Sequence, residues 1–307
     1  MKKFFLFPFF FISGILIVSS CSNIQHTEEI KNSNAFSFVF MTDIHLQPEN
    51  KAVEGFNQAI DSVNAINPDF VITGGDLIMD ALGQSFERSD SLYNIYNEAQ
   101  NRFNVPVYNT KGNHEIFGIY EKSGISNSHP EYENKMFENR IGKRYYSFDH
   151  KGWHFMILDG IEDTGESSYI GKVDSLQMEW IKSDLAKIDN STPIAISIHI
   201  PFITAETQLA SGSLEPNRPT TTITNSKEVL GLFDDYNLKL ALQGHLHIVE
   251  DIYARGTHFL TGGAVSSGWW GGPYNGMEEG FLVVKIDGEE IDWEYFDFGW
   301  EVEPKSE

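Results

Sequence analysis

The 307-residue chain contains a single cysteine, Cys21, so it can form no intramolecular disulfide, no cysteine-based zinc site and no CxxC redox pair. Basic residues are scarce as well: 22 Lys and Arg stand against 44 Asp and Glu, a formal charge of −22. Such a chain has no general affinity for nucleic acid or for an anionic membrane surface, and an anionic substrate has to be drawn in by something local, such as a metal. Apolar runs of membrane-spanning length are missing, and neither an internal repeat nor a Pro/Ser-rich linker follows residue 35. A multi-span membrane protein is therefore excluded. With 41% hydrophobic and 21% charged residues, the composition is that of a globular protein able to bury a sizeable core. The length allows one large domain or two ordinary ones.

At the start of the chain Lys2 and Lys3 precede an apolar run from Phe4 to Val18, broken only by Pro8, Ser13 and Gly14. The run is short for a transmembrane helix, which needs about 20 residues, and fits the charged and apolar regions of a secretory signal. Val18-Ser19-Ser20-Cys21 resembles a bacterial lipobox, in which the peptide is cut before the cysteine and the thiol is acylated. An ordinary signal peptide followed by an incidental Cys is the alternative. The resemblance implies a signal peptide over residues 1–20 and an exported bacterial lipoprotein, anchored through Cys21 alone and facing the periplasm or the cell surface. Loss of Lys2 and Lys3 takes 22 basic residues to 20 against 44 acidic ones, or −24. Residues 21–35 then form the lipidated cysteine and a polar, flexible tether, and residues 36–307 the folded domain.

Within that domain, Ala35–Met41 is a short β-rich apolar run suited to a buried strand. Val53, Phe56, Ala59, Ile60, Val63 and Ile66 recur at helical steps until Pro68. Phe70–Ile72 predicts the next strand, before Gly74-Gly75. The alternation continues with a helix around Leu92–Ala99 and strands around Val105–Tyr108, Tyr145–Phe148 and Trp153–Leu158. A helix with Val173, Leu176, Trp180, Ile181, Leu185 and Ile188 on one face leads to a strand at Ile194–Ile198, a helix at 226–236 and a strand at Leu238–Leu242. From Ile248 onward strand follows strand. The order predicts α/β architecture first and antiparallel β last, with residues 115–140 and 203–225 as polar surface loops near a site.

Residues that carry chemistry fall directly after these strands. Asp43-Ile44-His45 follows the first; in extended backbone its carboxylate and imidazole share a face while Ile44 turns to the core. Gly74-Gly75-Asp76 ends the second strand, Gly112-Asn113-His114-Glu115 follows the third, His199 ends Ile194–Ile198, and Gly244-His245-Leu246-His247 ends Leu238–Leu242. Each has an ordinary reading taken singly: a hydrogen-bonded Asp/His pair, a Gly-Asp turn, an Asn turn, a core histidine. The His-x-His pair is the most specific, being a common metal-ligand arrangement. Together they place five of the ten histidines at the carboxyl ends of strands, where open α/β sheets carry their sites. With His114 set aside, two Asp, one Asn and four His make a purely O and N donor set, suited in number and type to two divalent metals sharing a carboxylate.

In this order the five blocks resemble those of the calcineurin-like metallophosphoesterase superfamily, over roughly residues 36–300. The resemblance implies a four-layer α/β/β/α sandwich of two mixed sheets with a dinuclear metal site at their rim. It implies Asp43, His45 and His247 on one metal, Asn113, His199 and His245 on the other, and Asp76 bridging. The ions would be divalent Mn, Fe, Zn, Co or Ni, with water between them activated for in-line attack on a small phosphodiester or phosphomonoester. His114 would face the phosphoryl group, stabilising charge or protonating the leaving oxygen. Purple acid phosphatases carry a Tyr three residues after the bridging Asp, where this chain has Met79. Protein Ser/Thr phosphatases continue with Val-Asp-Arg-Gly, where it has Leu77-Ile78-Met79-Asp80, although Glu115 matches them. The pattern is nearest the cyclic-nucleotide and glycerophosphodiester phosphodiesterase branch. A non-catalytic surface lipoprotein that binds phosphorylated ligands is the competing reading, and a nuclease is disfavoured by charge.

Ser266–Tyr274 packs two Trp and a Tyr among glycines soon after His245 and His247. Either the rings plug the core's edge, or Trp269, Trp270 and Tyr274 form a lip that stacks on the organic part of a substrate.

Overall fold

Phe36, Phe38 and Phe40 on one side of the first strand, and Val39 and Met41 on the other, are all buried. That strand therefore has an apolar layer on each face. The computed structural model describes residues 34–302; the expected signal peptide, Cys21 and the tether up to residue 33 lie outside the described residues. In chain order the elements are β1 (Phe36–Met41), α1 (Ala52–Ile66), β2 (Phe70–Thr73), α2 (Phe86–Gln100), β3 (Val107–Asn109), α3 (Lys135–Arg140), β4 (Tyr146–His150) and β5 (Trp153–Ile157). They continue as β6 (Ile161–Asp163), β7 (Tyr169–Gly171), α4 (Ser175–Leu185), β8 (Pro193–Ser197), α5 (Glu206–Ser211) and α6 (Ser226–Gly231). The last strands are β9 (Asn237–Gln243), β10 (Glu250–Ala254), β11 (Thr257–Thr261), β12 (Gly280–Asp287) and β13 (Glu290–Asp297).

Two mixed sheets result. One runs β13-β12-β1-β2-β3, with β1, β2 and β3 parallel and the C-terminal hairpin antiparallel at its edge. The other runs β10-β11-β9-β8-β5-β4, with β11, β9, β8 and β5 parallel between antiparallel edges. Phe38, Phe40, Phe70, Ile72 and Leu282 of the first sheet face Phe155, Ile157, Ala195, Leu240 and Leu242 of the second. Alternate residues Val39, Met41, Val71 and Val283 pack under α1 and α2, while Met156, Ile194, Ile196 and Ala241 pack under α4 and α6. The period-2 alternation of the strands thus builds the predicted α/β/β/α sandwich, with the central strands of each sheet buried on both faces.

Local differences have local causes. The expected helix over 226–236 stops at Gly231 and continues as turns to Tyr236. Asp174 caps α4, its side chain accepting from Gln177 N at 2.8 Å, so Val173 of the expected helical face lies before the helix, and Ile188 lies beyond its end at Leu185. Leu176, placed on that face, is 76% exposed; it is the second helical residue and points away from the packed stripe of Ile181 and Leu185. Residues 115–140 are not simply a surface loop: Glu115, Ile116, Phe117, Ile119, Met136 and Phe137 are buried. Phe117 pairs with Glu133 through reciprocal backbone bonds that fold the segment back on itself.

Candidate metal centre

Every parallel strand that enters the site delivers its candidate ligands two to four residues beyond its carboxyl end. β1 leads to Asp43 and His45, β2 to Asp76, β3 to Asn113, β8 to His199, and β9 to His245 and His247. Backbone bonds stitch these turns together: Asp43 N donates to Gly75 O at 3.0 Å, His45 N to Asp76 O at 2.9 Å and Gly244 N to His199 O at 2.9 Å. The turns are strained. Asp43, His45, Asp76, His245 and His247 all have positive φ, between 47° and 73°, a left-handed conformation that costs non-glycine residues on the order of 1–3 kcal/mol each and persists only where surroundings impose it. At Gly112 the approach is so close that a Cβ would lie 2.1 Å from Asp76 Oδ1, so no side chain is tolerated there.

The donor atoms converge in three overlapping groups: Asp43, His45 and His247; Asp76, His199 and His245; and His45, Asp76 and His114. In the first, Asp43 Oδ2 accepts from Thr42 Oγ1 at 2.6 Å and from His245 N at 2.9 Å, which turns Oδ1 toward His247 Nε2 at 3.3 Å and His45 Nε2 at 3.8 Å. His45 Nε2 and His247 Nε2 face each other at 3.0 Å. His247 Nδ1 donates to Ser267 O at 2.6 Å, fixing the ring so that Nε2 stays directed inward.

In the second group, His199 Nδ1 donates to Gly74 O at 2.8 Å, and His199 Nε2 lies 3.2 Å from both Asn113 Oδ1 and Asp76 Oδ2. Asp76 is common to both sides: His114 N donates to its Oδ1 at 2.9 Å, while Oδ2 is within 3.8 Å of His45 Nε2 and His114 Nε2. The structure therefore brings together all seven residues expected as ligands, with Asp76 between the two halves.

Electrostatics at this spot are extreme. Burial alone would raise the Asp43 carboxyl, but His247 beside it holds it well below the usual carboxylate range. Burial is likewise overcome at Asp76, where His199 and His114 drive the carboxyl well down. Against its own burial, His199 is pushed up to about 9 by Asp76, and His247 is raised by Asp43. Burial takes His245 down to about 4, with His199 adding to it, and takes His45 well down, with His114 adding to it. Carboxylates held ionised in the interior call for positive charge close by. Asp43 Oδ1 is buried with no hydrogen-bond partner, which is costly unless a cation fills that role. The donor set fits divalent metal ions.

His114 is a partly open imidazole, its side chain 22% exposed. Its Nδ1 donates to Met79 O, and its ring stands edge-on to that of His45 at 4.6 Å. Its neighbour Glu115 has a role that the sequence pattern did not reveal. Fully buried, its carboxylate accepts four backbone N–H groups: Asp76 and Gly112 on Oε2 at 3.0 and 2.6 Å, Leu77 and Ile78 on Oε1 at 2.8 and 3.1 Å. Burial, with Asp76 nearby, pushes it up to about 7 against those donors. Glu115 thereby ties the turn carrying Asp76 to the turn carrying Asn113. Ser266 and Ser267 were missed as well: Ser266 Oγ donates to Asp43 O at 2.7 Å, and Ser267 O orients His247.

The aromatic segment divides. Trp269 and Tyr274 are 37% and 36% exposed beside the first donor group. Trp270 is 1% exposed, donates from Nε1 to Ile44 O at 2.9 Å and meets Trp300 edge-on. Its indole lies so close to α1 that a Cβ on Gly55 would come within 2.3 Å of the ring. The expectation that Trp270 contacts substrate is corrected: it is a core residue.

Comparison with known proteins agrees with this geometry. No curated protein matches the chain. Among solved structures, a dimetal phosphatase from Danio rerio superposes with a TM-score of 0.61 at 14% identity, covering 85% of this chain and 95% of that one. A purple acid phosphatase from yellow lupin gives 0.54 at 17% identity over 86% of this chain and 52% of its own. The anchor protein GAP50 of the Plasmodium inner membrane complex gives 0.53 at 14% identity over 87% and 86%. At such identities these likenesses speak for the fold alone. The model of the calcineurin-like phosphoesterase family matches residues 36–249. That stretch contains every residue of the donor groups, from Asp43 to His247, and with it the chain belongs to the calcineurin-like phosphoesterase family of metal-dependent phosphoester hydrolases.

Proposed function

We propose that the protein is an exported, lipid-anchored phosphodiesterase working at a centre of two divalent metal ions. The observation that carries this reading is the sharing of Asp76 between the two halves of the donor set. Asp43, His45 and His247 would hold one ion, Asn113, His199 and His245 the other, and Asp76 both. Ions bound there supply Lewis acidity toward the phosphoryl oxygens and a strong nucleophile from water at neutral pH. Manganese, iron, cobalt, nickel and zinc all suit such N and O donors. Their charge also attracts an anionic ester to a protein of formal charge −22, whose diffuse surface charge is screened beyond about 8 Å.

His114 supplies the proton chemistry. With Nδ1–H committed to Met79 O, Nε2 faces the site, and the imidazolium form would donate its second N–H to a phosphoryl oxygen or to the departing oxygen. His114→Ala is expected to lower kcat by about 10²–10³-fold with metal content unchanged; single-turnover kinetics and elemental analysis on the same preparation check both halves. Preference for diesters rests on Met79 and on Leu77–Asp80, which replace the sequences of the purple acid and protein phosphatase branches. Chromogenic diester and monoester substrates, assayed with metals added back after chelation, test it. Diester turnover that is lost on chelation and restored by metal is the expected result. Metal-independent turnover, or none with any metal, would reject the assignment.

Anchoring rests on the lipobox-like Val18–Cys21. Cys21→Ser is expected to move the protein from the membrane fraction to the soluble one with kcat/KM unaltered. A wild-type chain that takes up no acyl label and fractionates like the variant would contradict it.

A further inference from the structure

We infer that Trp269 and Tyr274 form an aromatic subsite on the Asp43–His45–His247 side of the metal centre, selecting phosphoesters that carry a flat ring; the inference rests on the phosphoesterase reading. After β11 the chain runs alongside the first donor block, Val265 N donating to Thr42 O at 2.9 Å and Ser266 N to Asp43 O at 3.2 Å. Ser267 then joins ligand and loop in one residue. Its carbonyl accepts His247 Nδ1 at 2.6 Å, and its hydroxyl donates to Met277 O at 2.7 Å and accepts Tyr274 N at 2.9 Å.

The next residues pay in backbone strain for a particular outcome. Ser267, Trp269 and Trp270 have φ of 42°, 55° and 66°, a conformation that bulky side chains adopt only under constraint. The constraint is Trp270, sunk in the core and hydrogen-bonded to Ile44 O. With that indole fixed inward, the adjacent one is left outside: the Trp269 ring lies 4.6 Å from His247, 6.0 Å from His45 and 5.5 Å edge-on from Tyr274. Tyr274 in turn stands 5.9 Å from His247. An indole more than a third exposed adds little to the core, yet here it is presented by a strained, braced turn against two metal-ligating imidazoles. Its free face is suited to stacking with a planar group on the ester, such as an aryl group or a nucleobase.

Phenylphosphonate and methylphosphonate share one head group, differ in the ring and contain no ester bond to hydrolyse. Calorimetric titration of the Mn²⁺-loaded protein therefore reads the subsite without turnover. Wild type is expected to bind phenylphosphonate about tenfold more tightly than methylphosphonate. In Trp269→Ala the ratio should fall to near one, and in Trp269→Phe, which keeps an aromatic face, it should largely survive. Thermal unfolding separates this from a packing role: Trp269→Ala should melt within about 2 °C of wild type, whereas Trp270→Ala, which empties a core position, should lose about 10 °C. A wild-type ratio near one, a ratio preserved in Trp269→Ala, or equal losses of melting temperature would overturn the inference. Ring preference that is present and lost as expected, in a protein that turns over no phosphoester, would sink the phosphoesterase reading alone.

Discussion

Asp76→Asn is expected to cut turnover by about 10³-fold or more, because several kcal/mol of charge stabilisation at a two-metal site depends on both ions being held. The substitution is nearly isosteric. An Asn can keep the bond from His114 N through its amide oxygen, which occupies the place of Oδ1. What it cannot keep is the charge at Oδ2, which lies 3.2 Å from His199 Nε2 and 3.8 Å from His45 Nε2. An amide nitrogen there presents hydrogens to those imidazoles and to any cation, and the two halves of the donor set lose their common anion. Metal content should fall from two ions per chain to one or fewer. His258→Gln, at a surface histidine paired with Asp251, serves as the control that leaves both quantities unchanged. Two retained metals at full turnover in Asp76→Asn would refute the bridging assignment.

Glu115→Ala should be the most destabilising single change near the site, by about 4 kcal/mol, since each buried N–H left unpaired costs roughly 1–3 kcal/mol and four lose their acceptor at once. Removal of a buried carboxylate beside Asp76 returns part of that cost, which keeps the net figure toward the lower end. For a chain of this size the melting temperature should drop by about 8–15 °C. Glu115→Gln should fall between wild type and Glu115→Ala, because its amide oxygen still accepts on one side while its NH₂ group opposes the N–H donors on the other. Equal stability of all three proteins, measured by thermal unfolding, would show that the turns carrying Asp76 and Asn113 are held by something else.

The cluster of candidate ligands was legible in the sequence because its residues are local to strand ends. Asp43-x-His45 and His245-x-His247 lie within five residues of apolar β runs, and a sheet that places those runs side by side gathers their sequels at one edge. The α/β order was legible for a similar reason, since apolar strands such as Phe36–Met41 need cover on both faces; the four-layer sandwich was implied by the family resemblance. Less could be read where a residue's role is set by tertiary neighbours. Trp269 and Trp270 are adjacent and chemically identical, and only the left-handed backbone of their turn, together with the space at Gly55, sends one inward and one outward. Glu115 stands in the Gly112–Glu115 block, yet its role was hidden, since nothing local marks the three N–H groups of the turn carrying Asp76 that join Gly112 N on its carboxylate. The polar composition of residues 115–140 concealed buried Phe117, Met136 and Phe137, a few apolar anchors too sparse to give a period. Leu176 shows the reverse error, an apolar residue in phase with a helical stripe but at the exposed first turn of α4.

The most direct measurement is a titration of chelator-stripped protein with a divalent metal, following bound metal by elemental analysis and diester turnover on the same samples. Turnover that stays low through the first equivalent, rises with the second and saturates at two ions per chain is the result predicted by a donor set divided about Asp76. Saturation of turnover at one ion, or full turnover in the stripped protein, would contradict it.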